Sequence, residues 1–480
     1  MKTTALLALA AAVAPSAASI SVPEEAPVYA SNAERMDRLT ELKNQDWAAA
    51  AAQGIGLFNG ATRFRKVTAK KKCSANGLAD DTYKCRNVDL HGFISHADMG
   101  SEVKLGNDVW GWTSPGGREF GIVGQRDGVA FVEITHNGNL EYLGRLDTHT
   151  EAVSWRDIKV IGNHAYIGSE AVDHGMQIFD LTKLLDVKPW WNPFFWKPKV
   201  FDKEKDLTAH YTGFGASHNI VAHEEARMIY AVGGRSGANA RNTTCAGGLF
   251  MVDVSDPANP KSPGCVGSGG YVHDAQCVVY QGPQDKYRGK EICFGFNEDA
   301  LTIYDLTDKA NPAVVSRTPY VGNAYSHQGW LVDDSMTFLL LDDELDERDG
   351  TAPGRDGRTT TYIFNVTNLE APLNTGYYKS PARSIDHNQY VVKGLTYQAN
   401  YASGLRIIDV SGVERDPTGG NFEEVGYFDC HPDDDETGGN IAFIGTWSVY
   451  PYFKSGYILL NSIERGIFSL KYTGRKARYL

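Results

Sequence analysis

No stretch of this 480-residue chain offers about 18 consecutive apolar residues, so no transmembrane segment is predicted. No Cys-x-x-Cys pair occurs, which removes the usual structural-zinc spacing. No Gly-x-Ser-x-Gly elbow, Walker loop or dinucleotide fingerprint is present, and Gly233-Gly234-Arg235-Ser236-Gly237 leads into no predicted helix. No nucleotide cofactor is therefore expected. Positive charge is scarce: Lys+Arg number 47 against 59 Asp+Glu, a formal net charge of -12. Without a basic stripe no nucleic-acid partner is expected, and the lone triplet Lys70-Lys71-Lys72 reads as a solvated loop. Heptad periodicity is also missing.

What is present is glycine, 50 residues, with 42% apolar content, the balance of a turn-rich and mostly β chain. Met1-Lys2, the apolar stretch Ala5 to Ala14 and the small residues Ser16-Ala17-Ala18 form a secretory signal peptide, residues 1–18. Secretion to the extracellular space follows as an expectation, and seven cysteines suit an oxidising compartment. Proximity in sequence pairs Cys73 with Cys85, Cys245 with Cys265 and Cys277 with Cys293, leaving Cys430 over; buried free thiols are the alternative. Asn242-Thr243-Thr244 is a glycosylation sequon in a Gly-rich loop. Residues 19–85 read as a helical and then extended segment. Its helix runs from an N-cap at Ser31 to Ala52, with Met36, Leu39 and Leu42 on one face. It is either a pro-segment or a helix packed on the rim of the following domain.

Residues 86–480 carry a repeat. Seven tetrads recur at intervals of 54 to 63 residues, each before an apolar strand-like run. They are Ser95-His96-Ala97-Asp98, Ser154-Trp155-Arg156-Asp157, Ser217-His218-Asn219-Ile220, Val272-His273-Asp274-Ala275, Ser326-His327-Gln328-Gly329, Asp386-His387-Asn388-Gln389 and Thr446-Trp447-Ser448-Val449. Each is followed by an apolar strand, acidic near its end in five of the seven, such as Leu249-Phe250-Met251-Val252-Asp253 or Leu405-Arg406-Ile407-Ile408-Asp409. Seven such units predict an all-β, seven-bladed β-propeller, with Val88 to Ile94 closing the last blade as its outer strand. The aromatic insertion Trp190, Trp191, Phe194, Phe195 and Trp196 falls in the second unit and reads as a satellite core or a stacking surface.

Ser326-His327-Gln328-Gly329-Trp330-Leu331, the acidic run Asp342 to Glu347, Asp386-His387-Asn388, Gly404-Leu405-Arg406-Ile407 and Trp447-Ser448-Val449-Tyr450-Pro451-Tyr452 together resemble the choice-of-anchor B family, whose members carry LVIVD-type propeller repeats. The likeness spans about residues 86–472 and implies a secreted or surface propeller. It implies no reaction. The chain ends at Leu480 without a hydrophobic tail, so a free secreted form is expected.

In a propeller the tetrads converge near one axis, so His96, His218, His273, His327 and His387, with Trp155 and Trp447, are predicted to form a ring. Three or four imidazoles with carboxylates behind them suit a divalent metal, Zn, Mn, Fe or Cu. Loops on the same face bring Glu170, Glu298, Asp343 and Glu344, and the acidic run is a place for Ca²⁺, although it lacks EF-hand spacing. Arg126, Arg156 and Arg235 are placed to hold an anionic group. The expectation is a metal-binding central face taking an anionic or carbohydrate ligand, an extracellular polysaccharide for example, with lyase or hydrolase chemistry if it is catalytic. The alternative is a non-catalytic extracellular scaffold in which the histidines lock neighbouring blades.

Overall fold

The computed structural model describes residues 31–53, 64–188 and 196–475. The proposed signal peptide and the aromatic residues Trp190, Trp191, Phe194 and Phe195 lie outside these. Seven antiparallel sheets follow one another along the chain. Blade 1 runs from Gly106–Thr113 out to Leu140–Asp147, blade 2 from Arg156–Ile161 to Ala209–Tyr211, and blade 3 from Asn219–His223 to Lys261–Val266. Blade 4 runs from Asp274–Val279 to Ala313–Thr318, blade 5 from Ser326–Leu331 to Leu373–Arg383, and blade 6 from Asn388–Val392 to Glu423–Phe428. Blade 7 comprises Thr446–Tyr450, Tyr457–Ser462 and Gly466–Tyr472, and its outer strand is Val88–Ser95. Val88 pairs with Tyr472 and Ser95 with Gly466, so the amino-terminal part of the propeller closes the ring. Each inner strand touches the next, and that of blade 7 touches that of blade 1.

Alternation along the strands sends apolar side chains into the spaces between blades, where seven hydrophobic clusters lie. Each fully buried Leu, Ile or Phe there contributes about 1.5–3 kcal/mol. Polar side chains then fix the blades in register near the axis. Asp108 accepts from the Ile158 amide at 3.0 Å and Asp157 from the Ile220 amide at 2.7 Å. Gln276 accepts from Leu331 at 2.7 Å and Gln328 from Gln389 at 3.0 Å. Asp157, Gln276 and Gln328 stand within a tetrad or just after it, and Asp108 stands near the start of the inner strand of blade 1. In blades 4 and 6 the ring histidines also lock, since His273 and His387 reach the His327 and Trp447 carbonyls of the next blade.

Two additions modify the ring. The long connection in blade 2 donates Lys199–Phe201 to blade 1 as a fifth, parallel strand. It passes so close to Gly144 that a Cβ there would stand 2.0 Å from the Lys199 carbonyl oxygen, which requires glycine. Tyr83–Arg86 pairs with the outer strand of blade 6, and the Cys73–Cys85 disulfide ties the segment down. The other two bridges are Cys245–Cys265 and Cys277–Cys293, as sequence proximity predicts, and Cys430 is a buried free thiol.

The N-terminal helix, Asn32–Gln53, begins at Ser31, whose hydroxyl caps the Glu34 amide at 3.4 Å. It lies over the centre of the propeller rather than on its rim. Met36, Leu39, Leu42, Trp47 and Ala50 pack on Leu105, Trp155, Tyr325, Tyr401, Phe443 and Trp447 to form an eighth cluster on the axis. Trp47 Nε1 donates to the Phe443 carbonyl at 2.8 Å, and Asp46 holds both Arg348 and the Phe443 amide. No described helix is long and apolar enough to cross a membrane.

Candidate metal centre

Beneath this helix, four of the five predicted histidines stand side by side. Ring centroids are 4.1 Å apart for His218 and His273, 4.2 Å for His273 and His327, and 4.3 Å for His327 and His387. Trp155 flanks the row 6.1 Å from His218, and Trp447 flanks it 5.2 Å from His387. His96 is a correction to the expected ring. Ten residues, 96–105, separate the outer strand of blade 7 from the inner strand of blade 1, so the position in register is Leu105. The Arg126 amide donates to Leu105, just as Glu170 donates to Trp155 in blade 2. His96 instead faces the Ser462 carbonyl through Nε2 at 2.7 Å and the Gln125 amide nitrogen through Nδ1 at 3.3 Å. Both its nitrogens are engaged away from the row.

The other imidazoles are oriented by carbonyls and carboxylates. His273 Nδ1 lies 3.0 Å from the His327 carbonyl and His387 Nδ1 lies 2.5 Å from the Trp447 carbonyl. A carbonyl only accepts, so each Nδ1 carries the proton and each Nε2 keeps its lone pair. This is the arrangement that prepares a histidine to ligate a metal. His218 Nδ1 meets Glu170 Oε1 at 2.6 Å, and burial raises that carboxyl to about 7. Burial holds all four imidazoles well below the ordinary histidine range, reinforced by the charge of Lys43 and, for His273 and His327, by neighbouring imidazoles. Neutral imidazole is the form a metal needs.

Glu344 completes the cluster. Nitrogens of His273 and His327 and an oxygen of Glu344 all lie within 4.8 Å of one another, and all three residues are buried. Glu344 also receives the Tyr401 hydroxyl at 2.5 Å and faces His387 Nε2 at 3.4 Å. Two imidazoles and a carboxylate could hold a divalent transition metal. Against the same carboxylate lies Lys43 of the roofing helix, Nζ to Oε1 2.8 Å, with the lysine 0% exposed. Its ammonium stands 5.0 Å over Trp447 and 5.6 Å over Trp155.

The remaining predicted residues scatter among other tasks. Arg156 is buried away from the centre and donates to the Gln125 carbonyl at 3.1 Å and to Thr148 at 2.8 Å. Arg126 stacks 4.5 Å over Trp47, and burial lowers it to about 10. Arg235 lies 3.8 Å from both Glu170 and Asp37 of the helix. Glu298 is held by both terminal nitrogens of Arg241, at 2.6 and 3.3 Å. Asp343 is consumed by the fold, accepting from Tyr320, Ala324 and Tyr325 at 2.7, 2.9 and 2.7 Å. No set of arginines therefore converges on the centre as the anion-clamp expectation requires. Asn242 is exposed on a turn of blade 3.

Sequence reasoning missed Lys43, although its place four residues after Leu39 and four before Trp47 puts it in the apolar stripe. It also missed that Asp386, the one acid at the first position of a tetrad, meets the acidic run. Asp346, Glu347 and Asp386 bring oxygens within 4.8 Å of one another, all buried. A further group, Asp429, Asp434 and Asp435, includes an ion pair from Asp435 to Lys84 at 2.9 Å.

Within this fold the LVIVD repeat family matches residues 154–180 and 245–266. The first stretch spans the three inner strands of blade 2, and the second covers the two outer strands of blade 3. No curated protein shows a match to this chain.

Proposed function

We propose that this protein is an exported propeller of the choice-of-anchor B kind whose axial cluster of His273, His327 and Glu344 binds a divalent transition metal beneath the N-terminal helix. The convergence of those three donors within 4.8 Å carries the reading. The carbonyl-anchored imidazoles and the proximity of His387 support it. Zn, Mn, Fe and Cu all suit imidazole with carboxylate. The hydrophobic amino terminus and the three disulfides support export. An anionic or carbohydrate ligand would meet the central face only after the helix yields, because Met36, Leu39 and Trp47 cover it.

Elemental analysis after incubation with each metal tests the proposal, in wild-type protein and in His273→Ala with His327→Ala. Stoichiometric metal lost in the double variant supports it. No metal in the wild type overturns it. One observation favours a second reading, a non-catalytic scaffold: Lys43 already neutralises Glu344. If the wild type takes up no metal but Lys43→Met does, the lysine is the resident cation; if neither does, the histidines are structural.

A further inference from the structure

The acidic run divides its labour in a way that leaves one group of carboxylates unexplained. Asp343 is saturated by hydrogen bonds, and Glu344 meets Lys43 and Tyr401 through Oε1 while its Oε2 has no hydrogen-bond partner among the described residues. Asp346 and Glu347, on the short helical turn Asp346–Asp349, point instead toward Asp386 at the entrance to blade 6. A fourth acid comes from a different element. Asp342, on the second strand of blade 5, is 1% exposed, and neither of its carboxylate oxygens has a hydrogen-bond partner. It repels the Asp386 carboxylate more than any other neighbour does. The Gln389 amide lies beside Asp342 and favours its ionised form without closing a hydrogen bond of normal geometry.

The orphan count is unusual. Both oxygens of Asp342, Glu347 and Asp386 and one of Asp346 are buried without a hydrogen-bond partner among the described residues. The remaining Asp346 oxygen accepts from the Tyr362 hydroxyl at 2.8 Å. Lys379 is the cation whose field reaches Asp346 and Glu347, but its ammonium is anchored on Asp356 at 2.7 Å and on the carbonyls of Pro353 and Arg358. Burying carboxylates without hydrogen bonds or a contacting cation is strongly unfavourable, so the group must take up protons or a metal ion.

We propose that Asp342, Asp346, Glu347 and Asp386 form a second metal site, for a hard divalent cation of the calcium class, enclosed between blades 5 and 6. The donors are all oxygen, which favours Ca²⁺, Mg²⁺ or Mn²⁺ over the softer ions suited to imidazole. Four carboxylates from a strand, a helical turn and the next blade would let one ion bind parts of the fold far apart in sequence. Its ligands are distinct from the three donors of the axial site.

Chelator-stripped wild-type protein titrated with Tb³⁺, excited through its tyrosines, tests this directly. Saturable one-to-one emission that Ca²⁺ displaces is expected, together with a rise in Tm on adding Ca²⁺. Glu347→Gln with Asp386→Asn should weaken Ca²⁺ binding by more than tenfold, and Tyr362→Phe should dim the emission while leaving the Ca²⁺-dependent Tm in place. His273→Ala should change neither. A wild-type protein with no saturable Tb³⁺ signal and no Tm response to Ca²⁺, Mg²⁺ or Mn²⁺ overturns the proposal in favour of shared protons. Ca²⁺ binding that persists at full strength in the folded double variant also overturns it, since the ion then sits elsewhere. Should the variants fail to fold, the wild-type titration still decides.

Discussion

The axial cluster and the acidic pocket are equally deep, yet they solve the burial of carboxylate in opposite ways. Glu344 meets an ammonium, a tyrosine hydroxyl and imidazoles, so its charge is balanced from within the chain. Asp342, Asp346, Glu347 and Asp386 meet mainly one another. The balancing cation of the first comes from a helix outside the repeat, and among the described residues nothing comparable reaches into the second. A repeat fold supplies equivalent positions cheaply in sequence terms, but the charges that make such positions tolerable come from the non-repeating parts.

The sharpest way to break this contrast is Lys43→Met. It keeps the side-chain volume and leaves Glu344 buried without its partner, so a loss of about 3–5 kcal/mol is expected from urea unfolding of metal-free protein. Adding Zn²⁺ should recover part of that loss, since the metal then takes the place of the ammonium, while Ca²⁺ should not. A loss under about 1 kcal/mol would show that Glu344 is protonated and that the two clusters are alike.

His431 and Glu464 give a directly paired standard for comparison, Nδ1 to Oε1 2.7 Å, with Glu464 Oε2 accepting from Gly445 at 3.0 Å. Despite burial, the His431 contact and the Arg465 charge bring Glu464 down to about 2, and Glu464 in turn raises His431. The signs follow from linkage. Glu464 contributes stability above its unfolded value of about 4.3, lost as pH falls toward 2. His431 contributes below its unfolded value of about 6.5, lost as pH rises through its raised folded value. Glu464→Gln should cost about 3 kcal/mol at pH near 6 and flatten the acid limb of a urea-midpoint profile. An unchanged acid limb would locate the acid sensitivity elsewhere.

The acidic pocket should behave with the opposite sign. In chelator, Asp346→Asn removes one of four repelling carboxyls and is expected to be neutral or stabilising by about 1 kcal/mol. With Ca²⁺ at 100 times its Kd, the wild type should gain about 2.7 kcal/mol that the variant lacks. Destabilisation in chelator would mean that Asp346 is already compensated, by the Tyr362 hydroxyl for instance, and would weaken the contrast.

Much of the fold is legible in the sequence because two physical signals recur in one register seven times: a polar tetrad and an apolar strand, which ends in an acid in five of the seven units. That register places Val88–Ser95 in blade 7 and sets His218, His273, His327 and His387 in one row. It misplaces His96 because the tetrad pattern continues while the chain makes a ten-residue excursion to Leu105. Arg156 reads as a ligand clamp because sequence cannot tell which carbonyls a long side chain will reach. The acidic run reads as one loop, but a short helical turn sends its members to three separate tasks. Lys43 hides because a lysine in an amphipathic helix ordinarily marks the wet face.

The smallest expected effect concerns access. If the helix roofs the axial cluster, weakening its first turn should speed metal entry there and leave the acidic pocket unaffected. Ser31→Ala removes the exposed cap on Glu34, worth about 0.5 kcal/mol at this end. Where opening limits uptake, that loss raises the open fraction roughly twofold, as 1.4 kcal/mol would raise it about tenfold. Stopped-flow Zn²⁺ uptake should accelerate by that factor while Tb³⁺ uptake stays constant. Equal acceleration at both sites would mean that the helix governs the whole central face, and the two clusters would then differ in their ligands but not in their access.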